Sequence, residues 1–243
     1  MKRLIAIVLS FLVMNYQNAL ACADSDDMAQ LKQIESEKLL SNAPTFKQAW
    51  IEKKISIKFT PKKTVDNQCM ASFEIQLPQK DIDEATQHLD QNPAKRILLA
   101  AQGYAVPDKI SIETPFYYQI TNGRAVPSEL KNTELKSLHN NLEYTYQLLA
   151  QLRANVDEKS VNETPWRTEE INAAIQTCRN KQSSKSEAVN FCPCRIEKLS
   201  KNISAKQMEL INYIETQPFS VATGSLNGFQ KLSEKVNHEC SKK

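Results

Sequence analysis

Six cysteines are the residues of this chain whose type and spacing most readily support chemistry. Cysteines pair as disulfides in oxidising compartments, bind soft metal ions as thiolates, or act as redox nucleophiles. The choice among these roles depends on the compartment and on the elements that hold the side chains. The six are Cys22, Cys69, Cys178, Cys192, Cys194 and Cys240.

The last four cysteines predict two structural disulfides, because the helical segment that contains them is short and has little core. By chain entropy, a Cys178–Cys192 loop contributes about 3 kcal/mol and a Cys194–Cys240 loop about 4 kcal/mol. The swapped pairing closes loops of nearly equal length, so loop entropy does not choose between the two. A turn between helices near Ser184 would place Cys178 and Cys192 level, which favours that pair.

The spacing of these four cysteines has a counterpart elsewhere. Thirteen residues separate Cys178 from the Cys192-Pro193-Cys194 motif, and an apolar helix follows. The pattern resembles small cysteine-rich helical domains of exported bacterial proteins of unassigned function. The resemblance covers the last third of the chain and implies no activity.

The Cys192-Pro193-Cys194 motif also supports two alternatives. If Pro193 begins a helix, Cys192 lies at its N-terminus, where the dipole makes a thiol suited to thiol–disulfide exchange. The spacing is not Cys-x-x-Cys, and no βαβ pattern surrounds it. The second alternative is a zinc or Cu(I) site in which the motif joins His238 and Cys240, but Cys-x-Cys is shorter than the usual zinc spacing. We therefore predict neither a metal site nor a cofactor.

Other residue types form no recognisable catalytic constellation in the sequence. The four glycines lack the spacing of a dinucleotide or P-loop fingerprint, and no Gly-x-Ser-x-Gly motif marks a serine hydrolase. His88 and His139 lie among amides and charges. A carboxylate hydrolase leaves no local signature and stays an alternative. The sequence predicts no catalytic residue and favours a protein that is not an enzyme.

The N-terminus predicts an export signal over residues 1–21. Lys2 and Arg3 precede an apolar segment over residues 4–14, and Ala19-Leu20-Ala21 supplies the small residues before a cleavage site. Removal of this segment lowers the formal net charge from +3 to +1, which leaves no basic surface for nucleic acid. No apolar run reaches the roughly 18 residues of a transmembrane span. We predict an exported, periplasmic protein.

Cys22 would be the first residue after cleavage, and its fate decides how the cysteines pair. In Ala19-Leu20-Ala21-Cys22 the leucine stands one place later than in a bacterial lipobox. Signal-peptidase cleavage is therefore favoured over a lipid anchor, which stays the alternative. An unlipidated Cys22 is expected to bond to Cys69 and to pin the N-terminal helix to the sheet, a bridge worth about 4 kcal/mol. Lipidation would leave Cys69 as a buried, inert thiol.

The elements that must position these cysteines begin with an α+β segment over residues 22–156. An amphipathic helix precedes three alternating strand patterns, which cover residues 55–59, 73–77 and 110–120. The first two strands predict a hairpin. This segment is therefore expected to be a small antiparallel sheet packed on helices.

Proline and asparagine positions refine the prediction for this segment. Asn92 followed by Pro93 predicts a break between two helices. Pro115, which has no N–H, predicts that the third strand is an edge strand or is kinked. A long helix is expected from Ser128 to about Val156, because leucines recur along it at a spacing of three and four residues.

Residues 157–164 are polar and predict a linker to an all-α domain over residues 165–243. Thr164 with Pro165 predicts the N-cap and first position of one helix, and Ser204 with Gln207 predicts a capping box for another. Apolar residues recur at helical spacing through most of this domain. The fold class is therefore α+β, with the sheet-containing segment followed by a disulfide-stapled all-α bundle.

These features together predict a non-catalytic exported protein that binds another exported or envelope protein. An accessory or chaperone-like factor or an inhibitor would fit. The alternatives are thiol–disulfide exchange or metal binding by the Cys192-Pro193-Cys194 motif, and a carboxylate hydrolase.

Overall fold

A computed structural model describes most of the chain in two units, Met1–Gln147 and Leu148–Lys243. The predicted export signal, residues 1–21, lies outside the described residues. The division falls inside a helix, and the linker predicted over residues 157–164 stays a prediction. The described residues are Cys22 and the ranges 25–40, 43–62, 68–122, 124–157, 159–182, 185–216 and 226–241.

The first unit combines helices with one sheet, and the helix that ends it continues into the second unit. In chain order its elements are α1 (Ser25–Leu40), α2 (Pro44–Ile51), β1 (Ser56–Pro61), β2 (Cys69–Gln76), α3 (Gln79–Asp90), α4 (Pro93–Ala101), β3 (Ser111–Thr121), β4 (Arg124–Pro127) and α5 (Thr133–Ala154).

The four strands form an antiparallel sheet in the order β1-β2-β3-β4. Helix α1 contacts both outer strands, β1 and β4, so the sheet curls around this helix. Phe73 of β2 aligns with Phe59 of β1 and with Thr114 of β3, and Phe116 and Tyr118 follow Thr114 on the same face of β3. Phe73, Phe116 and Tyr118 are fully buried and fill the core between sheet and helices. The predicted α+β fold is confirmed.

Strand β3 is interior to the sheet, so the prediction of an edge strand is wrong for the strand as a whole. Strand β4 pairs only with residues 118–121 of β3. At Pro115 the ladder therefore continues on one side alone, toward Ser72 of β2. The missing N–H of Pro115 costs no hydrogen bond to β4, which explains why proline is tolerated there.

The break predicted between two helices is confirmed. Pro93 begins α4, and the side-chain amide of Asn92 donates to the carbonyl of His88 at 2.8 Å. Gly103 has a φ of +82° just after α4, a conformation that glycine adopts without strain. Helices α3 and α4 thus form a hairpin at the surface of the first unit.

Helix α5 begins at Thr133, five residues after the predicted start at Ser128. The backbone N–H of Tyr117 donates to Asn132 Oδ1 at 2.8 Å, and Asn132 Nδ2 donates to the Tyr117 carbonyl at 2.9 Å. This side chain continues the hydrogen bonding of β3 beyond β4 and fixes where the helix begins. Strand β4, which the sequence analysis did not predict, occupies residues just before it.

The second unit is helical in its described part. Its helices are α6 (Thr168–Lys181), α7 (Lys185–Ser200), α8 (Ala205–Thr216) and α9 (Asn227–Cys240). Helix α7 packs against both α6 and α9. The predicted capping box is confirmed, because Ser204 N–H donates to Gln207 Oε1 at 3.0 Å and Gln207 N–H donates to Ser204 Oγ at 3.2 Å. No helix in the described ranges combines the length and apolar character needed to cross a bilayer.

Helix α6 begins at Thr168, so the predicted start at Thr164 and Pro165 is wrong. Trp166 is buried, and its Nε1 donates to the carbonyl of Ile203 at 2.7 Å. With Trp166 held by this contact, the chain stays extended through Arg167, and the helix begins about one turn later than predicted. The carboxylate of Glu170 then accepts from the N–H of Arg167 at 2.8 Å and closes the first turn.

Candidate functional site

The six cysteines form three disulfides in the structure. Cys22 bonds to Cys69, Cys178 to Cys192, and Cys194 to Cys240. These are the pairs that the sequence favoured, since Cys178–Cys192 leaves Cys194 to pair with Cys240. All six cysteines belong to the described part of the chain, and none is a free thiol. The cysteines therefore act as cross-links in this structure.

Pro193 lies inside α7, which contradicts the hypothesis that it begins a helix. Cys192 is fully buried and bonded to Cys178, so the argument for a dipole-activated thiol at a helix N-terminus does not apply. Cys192 and Cys194 belong to different disulfides. Within the described ranges, no three His, Cys, Asp or Glu side chains are arranged to hold a metal ion.

The bridge between Cys22 and Cys69 belongs to a larger anchor for the N-terminal helix. The hydroxyl of Tyr118 donates to the carbonyl of Cys22 at 2.5 Å, and Tyr118 aligns with Cys69 across the sheet. Burial raises the pKa of Tyr118 to about 12, and the nearby Asp27 carboxylate adds to the rise. This tyrosine therefore stays protonated and donates its hydrogen bond across the physiological pH range.

His139 of α5 is partly buried and belongs to an ionisable cluster around the buried Glu35, which the sequence analysis did not predict. The fully buried carboxylate of Glu35 lies 2.8 Å from Lys38 Nζ and 3.3 Å from His139 Nε2. Burial lowers the pKa of His139, the Glu35 charge opposes this, and Lys38 lowers it further. The imidazole also contacts the ring of Phe73 edge to face, at 6.4 Å between centroids. Because Glu35 is fully buried and joins α1 to His139 of α5, we assign this cluster to stability.

A groove of about 960 Å³ lies between helices α3 and α4 and the segment 104–108 that follows them. Tyr104 and Tyr144 stack along it, with ring centroids 5.5 Å apart. Its other apolar lining residues are Ile82, Leu89, Leu99, Ala100, Ala105, Val106 and Pro107.

Carboxylates give the groove a negative rim. Asp83, Asp90 and Asp108 are exposed along it. Arg96 is the cationic residue that lines the groove, and it forms an ion pair with Asp90 at 2.5 Å. The amide of Gln79 donates to Asp83 at 2.7 Å. Among the described residues, no lysine or arginine lies within ion-pair distance of Asp83 or Asp108, so the rim carries uncompensated negative charge.

Helix α4 presents an apolar surface beside this groove. Residues 97–101 are consecutive apolar residues, and at about 100° per residue they encircle the helix. Only Leu99 is buried, whereas Ile97 is 71% exposed and Leu98 is 59% exposed. The sequence analysis predicted this helix but not its exposed apolar face. The unbroken apolar run was the available signal, since a surface helix ordinarily has a polar outer face.

The groove and the outer face of α4 together form the candidate site, which we call the α3–α4 surface. Comparison of the chain with protein-family models, with curated proteins and with solved structures finds no match.

Proposed function

We propose that this chain is an exported, periplasmic protein that acts by binding another protein through the α3–α4 surface. The exposed apolar face of α4 is the observation that carries the proposal. Export is supported by the N-terminal charge and apolar pattern, and three disulfides are compatible with an oxidising compartment.

The outer face of α4 is costly to leave in water. Helix α4 contacts α3, and Leu99 is the one side chain that this helix buries in its own unit. A partner that covered Ile97 and Leu98 would remove two large apolar side chains from water, each worth about 2 kcal/mol when fully buried. Contiguous exposed apolar residues rimmed by charge are typical of protein–protein interaction sites.

The test compares two changes in apolar exposed residues of the same unit. The double variant Ile97→Ser with Leu98→Ser removes the proposed contact, and Leu130→Ser, at a position 92% exposed, is the matched control. Tagged chains are purified from the periplasm, and bound proteins are quantified by mass spectrometry. We expect the double variant to retain about one tenth or less of a stoichiometric partner, and the control to retain all of it.

Melting curves of the variants keep this test interpretable. Neither change removes a buried side chain, so both variants should unfold at the wild-type temperature. Equal partner recovery by the double variant and the wild type would refute the proposed surface. Absence of any stoichiometric partner, together with turnover of a cell-wall or peptide substrate, would refute binding as the function.

A further inference from the structure

We infer that the segment bound by the α3–α4 surface is an amphipathic, cationic helix of the partner protein. The inference rests on the proposed function and adds the chemistry of the segment that the surface selects. It is carried by the rim charges of the groove, by its apolar lining and by the groove's position between two helices.

The negative charge of the rim favours a partner segment of positive charge. Asp83, Asp90 and Asp108 line one groove, and Arg96 compensates Asp90 alone. A lysine or arginine on the bound segment would find Asp83 and Asp108 without a competing cation among the described residues. An acidic segment would instead bring like charges together, which costs binding energy and slows association. The groove is therefore complementary to a basic partner.

The lining selects apolar side chains between those charges. Ile82, Leu89 and Leu99 are buried beneath the groove and the Tyr104–Tyr144 stack flanks it. A volume of about 960 Å³ is at the upper end of the range of about 300–1,000 Å³ for ligand-binding clefts and cavities. Several leucine-sized side chains fit such a space, which suits one apolar stripe of a helix rather than a single small group.

The outer face of α4 extends the contact beyond the groove. Arg96 and Ala100 line the groove, and Ile97 follows Arg96 by about 100° around the helix axis. A helix laid along α4 would therefore cover Ile97 while its apolar stripe enters the groove. Helices in apolar grooves are recognised through side chains at i, i+3, i+4 and i+7, with flanking charges setting specificity.

The probes are two synthetic peptides of about four helical turns. Both repeat leucine at i, i+3, i+4 and i+7, and their remaining positions carry lysine and alanine in one and glutamate and alanine in the other. Binding of each labelled peptide to the full chain is measured by fluorescence anisotropy at low and high salt. We expect the lysine peptide to bind at least about tenfold more tightly than the glutamate peptide at low salt, with the difference shrinking at high salt.

Variants that replace rim carboxylates by neutral amides test whether the rim charge causes the preference for the lysine peptide. The variant Asp83→Asn with Asp108→Asn should weaken binding of the lysine peptide about fivefold or more. The control, Glu37→Gln with Glu129→Gln, removes the same total charge from exposed positions outside the groove and should change binding less than about twofold. All four positions are exposed, and matching melting curves would verify that both variants fold.

Several results would overturn the inference. The first is equal binding of the two peptides, and the second is an equal effect of the control variant. The third is binding of a small cationic amphiphile, dodecylamine, in the groove without binding of either peptide. A concentration-dependent dimer that Ile97→Ser with Leu98→Ser abolishes would identify a second copy of the chain as the occupant. Recovery of a partner whose contact segment is not basic would refute the cationic helix while leaving the proposed function intact. Failure of both partner recovery and peptide binding would refute the two together.

Discussion

The two units of this chain are stabilised in different ways. In the first unit, five aromatic side chains are almost completely buried between the curled sheet and its helices: Phe46, Phe73, Phe116, Tyr118 and Tyr146. In the described part of the second unit, the largest side chains buried to the same degree are aliphatic, and two disulfides join α7 to α6 and α9. The first unit thus combines an aromatic core with one disulfide, and the second combines a mainly aliphatic core with two.

This difference explains where a binding surface can be placed. The core of the first unit uses only Leu99 from α4, so the rest of that helix is free to present apolar side chains to a partner. In the second unit α7, at the centre, carries one cysteine of each disulfide, and its neighbours are held to it. In a unit with a large core, one helix can bind a partner while contributing little to that core.

The largest effect should come from reduction of the disulfides. Loss of the Cys178–Cys192 and Cys194–Cys240 bridges removes about 3 and about 4 kcal/mol by chain entropy, which a small helical unit cannot spare. Reductant also cleaves Cys22–Cys69, but the first unit keeps its buried aromatic core. We therefore expect reductant to expose residues 165–243 to protease at temperatures where the first unit stays protected. Mass spectrometry of fragments with and without reductant measures this. Equal protection of the second unit in both conditions would show that its core suffices.

A core substitution in the first unit is expected to destabilise that unit and to leave the second unit folded. Phe116→Ala removes a fully buried ring that contacts the ring of Phe59 edge to face, and should cost the first unit about 3–5 kcal/mol. Protease protection of the oxidised second unit should be unchanged. Val126→Ala, at an exposed position of the same sheet, is the control. Simultaneous loss of both units in Phe116→Ala would show that their stabilities are coupled.

A smaller effect is expected in the pH dependence of stability, which should differ between the two units. Because burial lowers the pKa of His139 in the folded chain, the unfolded chain takes up the proton first as the pH falls. The contribution of His139 is complete above its ordinary pKa of about 6.5 and is lost as the pH falls toward the folded value, by at most about 1.4 kcal/mol per pH unit.

Denaturant titrations between about pH 7 and pH 5 measure this dependence. The variant His139→Gln should flatten the profile of the first unit, whereas His238→Gln, on the exposed side of α9, should leave it unchanged. A profile as steep in His139→Gln as in the wild type would assign the acid sensitivity to other groups.

Local signals predicted most of the elements and favoured the pairing of all three disulfides. The Asn92–Pro93 break and the Ser204–Gln207 capping box depend on residues a few positions apart, and the structure contains both. The prediction of the Cys22–Cys69 bridge required the strand pattern and a mature N-terminus at Cys22. These features were accessible because each depends on spacing along the chain.

The remaining features depend on contacts between distant residues. The start of α5 is set by Asn132 on the backbone of Tyr117, and the start of α6 by Trp166 on the carbonyl of Ile203. No periodic pattern encodes such pairs. The rim of the α3–α4 surface could not be predicted either, because Asp83 and Asp108 line the same groove only when the α3–α4 hairpin and the segment after it have folded.

Cys192 and Cys194 stand two residues apart on α7, which has a consequence for oxidative assembly. At about 100° per residue their side chains leave the helix in nearly opposite directions, one toward α6 and the other toward α9. An extended, unfolded segment offers either sulfur to either partner with little preference. A formed α7 helix presents Cys192 to α6 and Cys194 to α9, so helix geometry, and not loop length, specifies the native pairs. Bonds made earlier with the swapped pairing are expected to rearrange by thiol–disulfide exchange once α7 has formed.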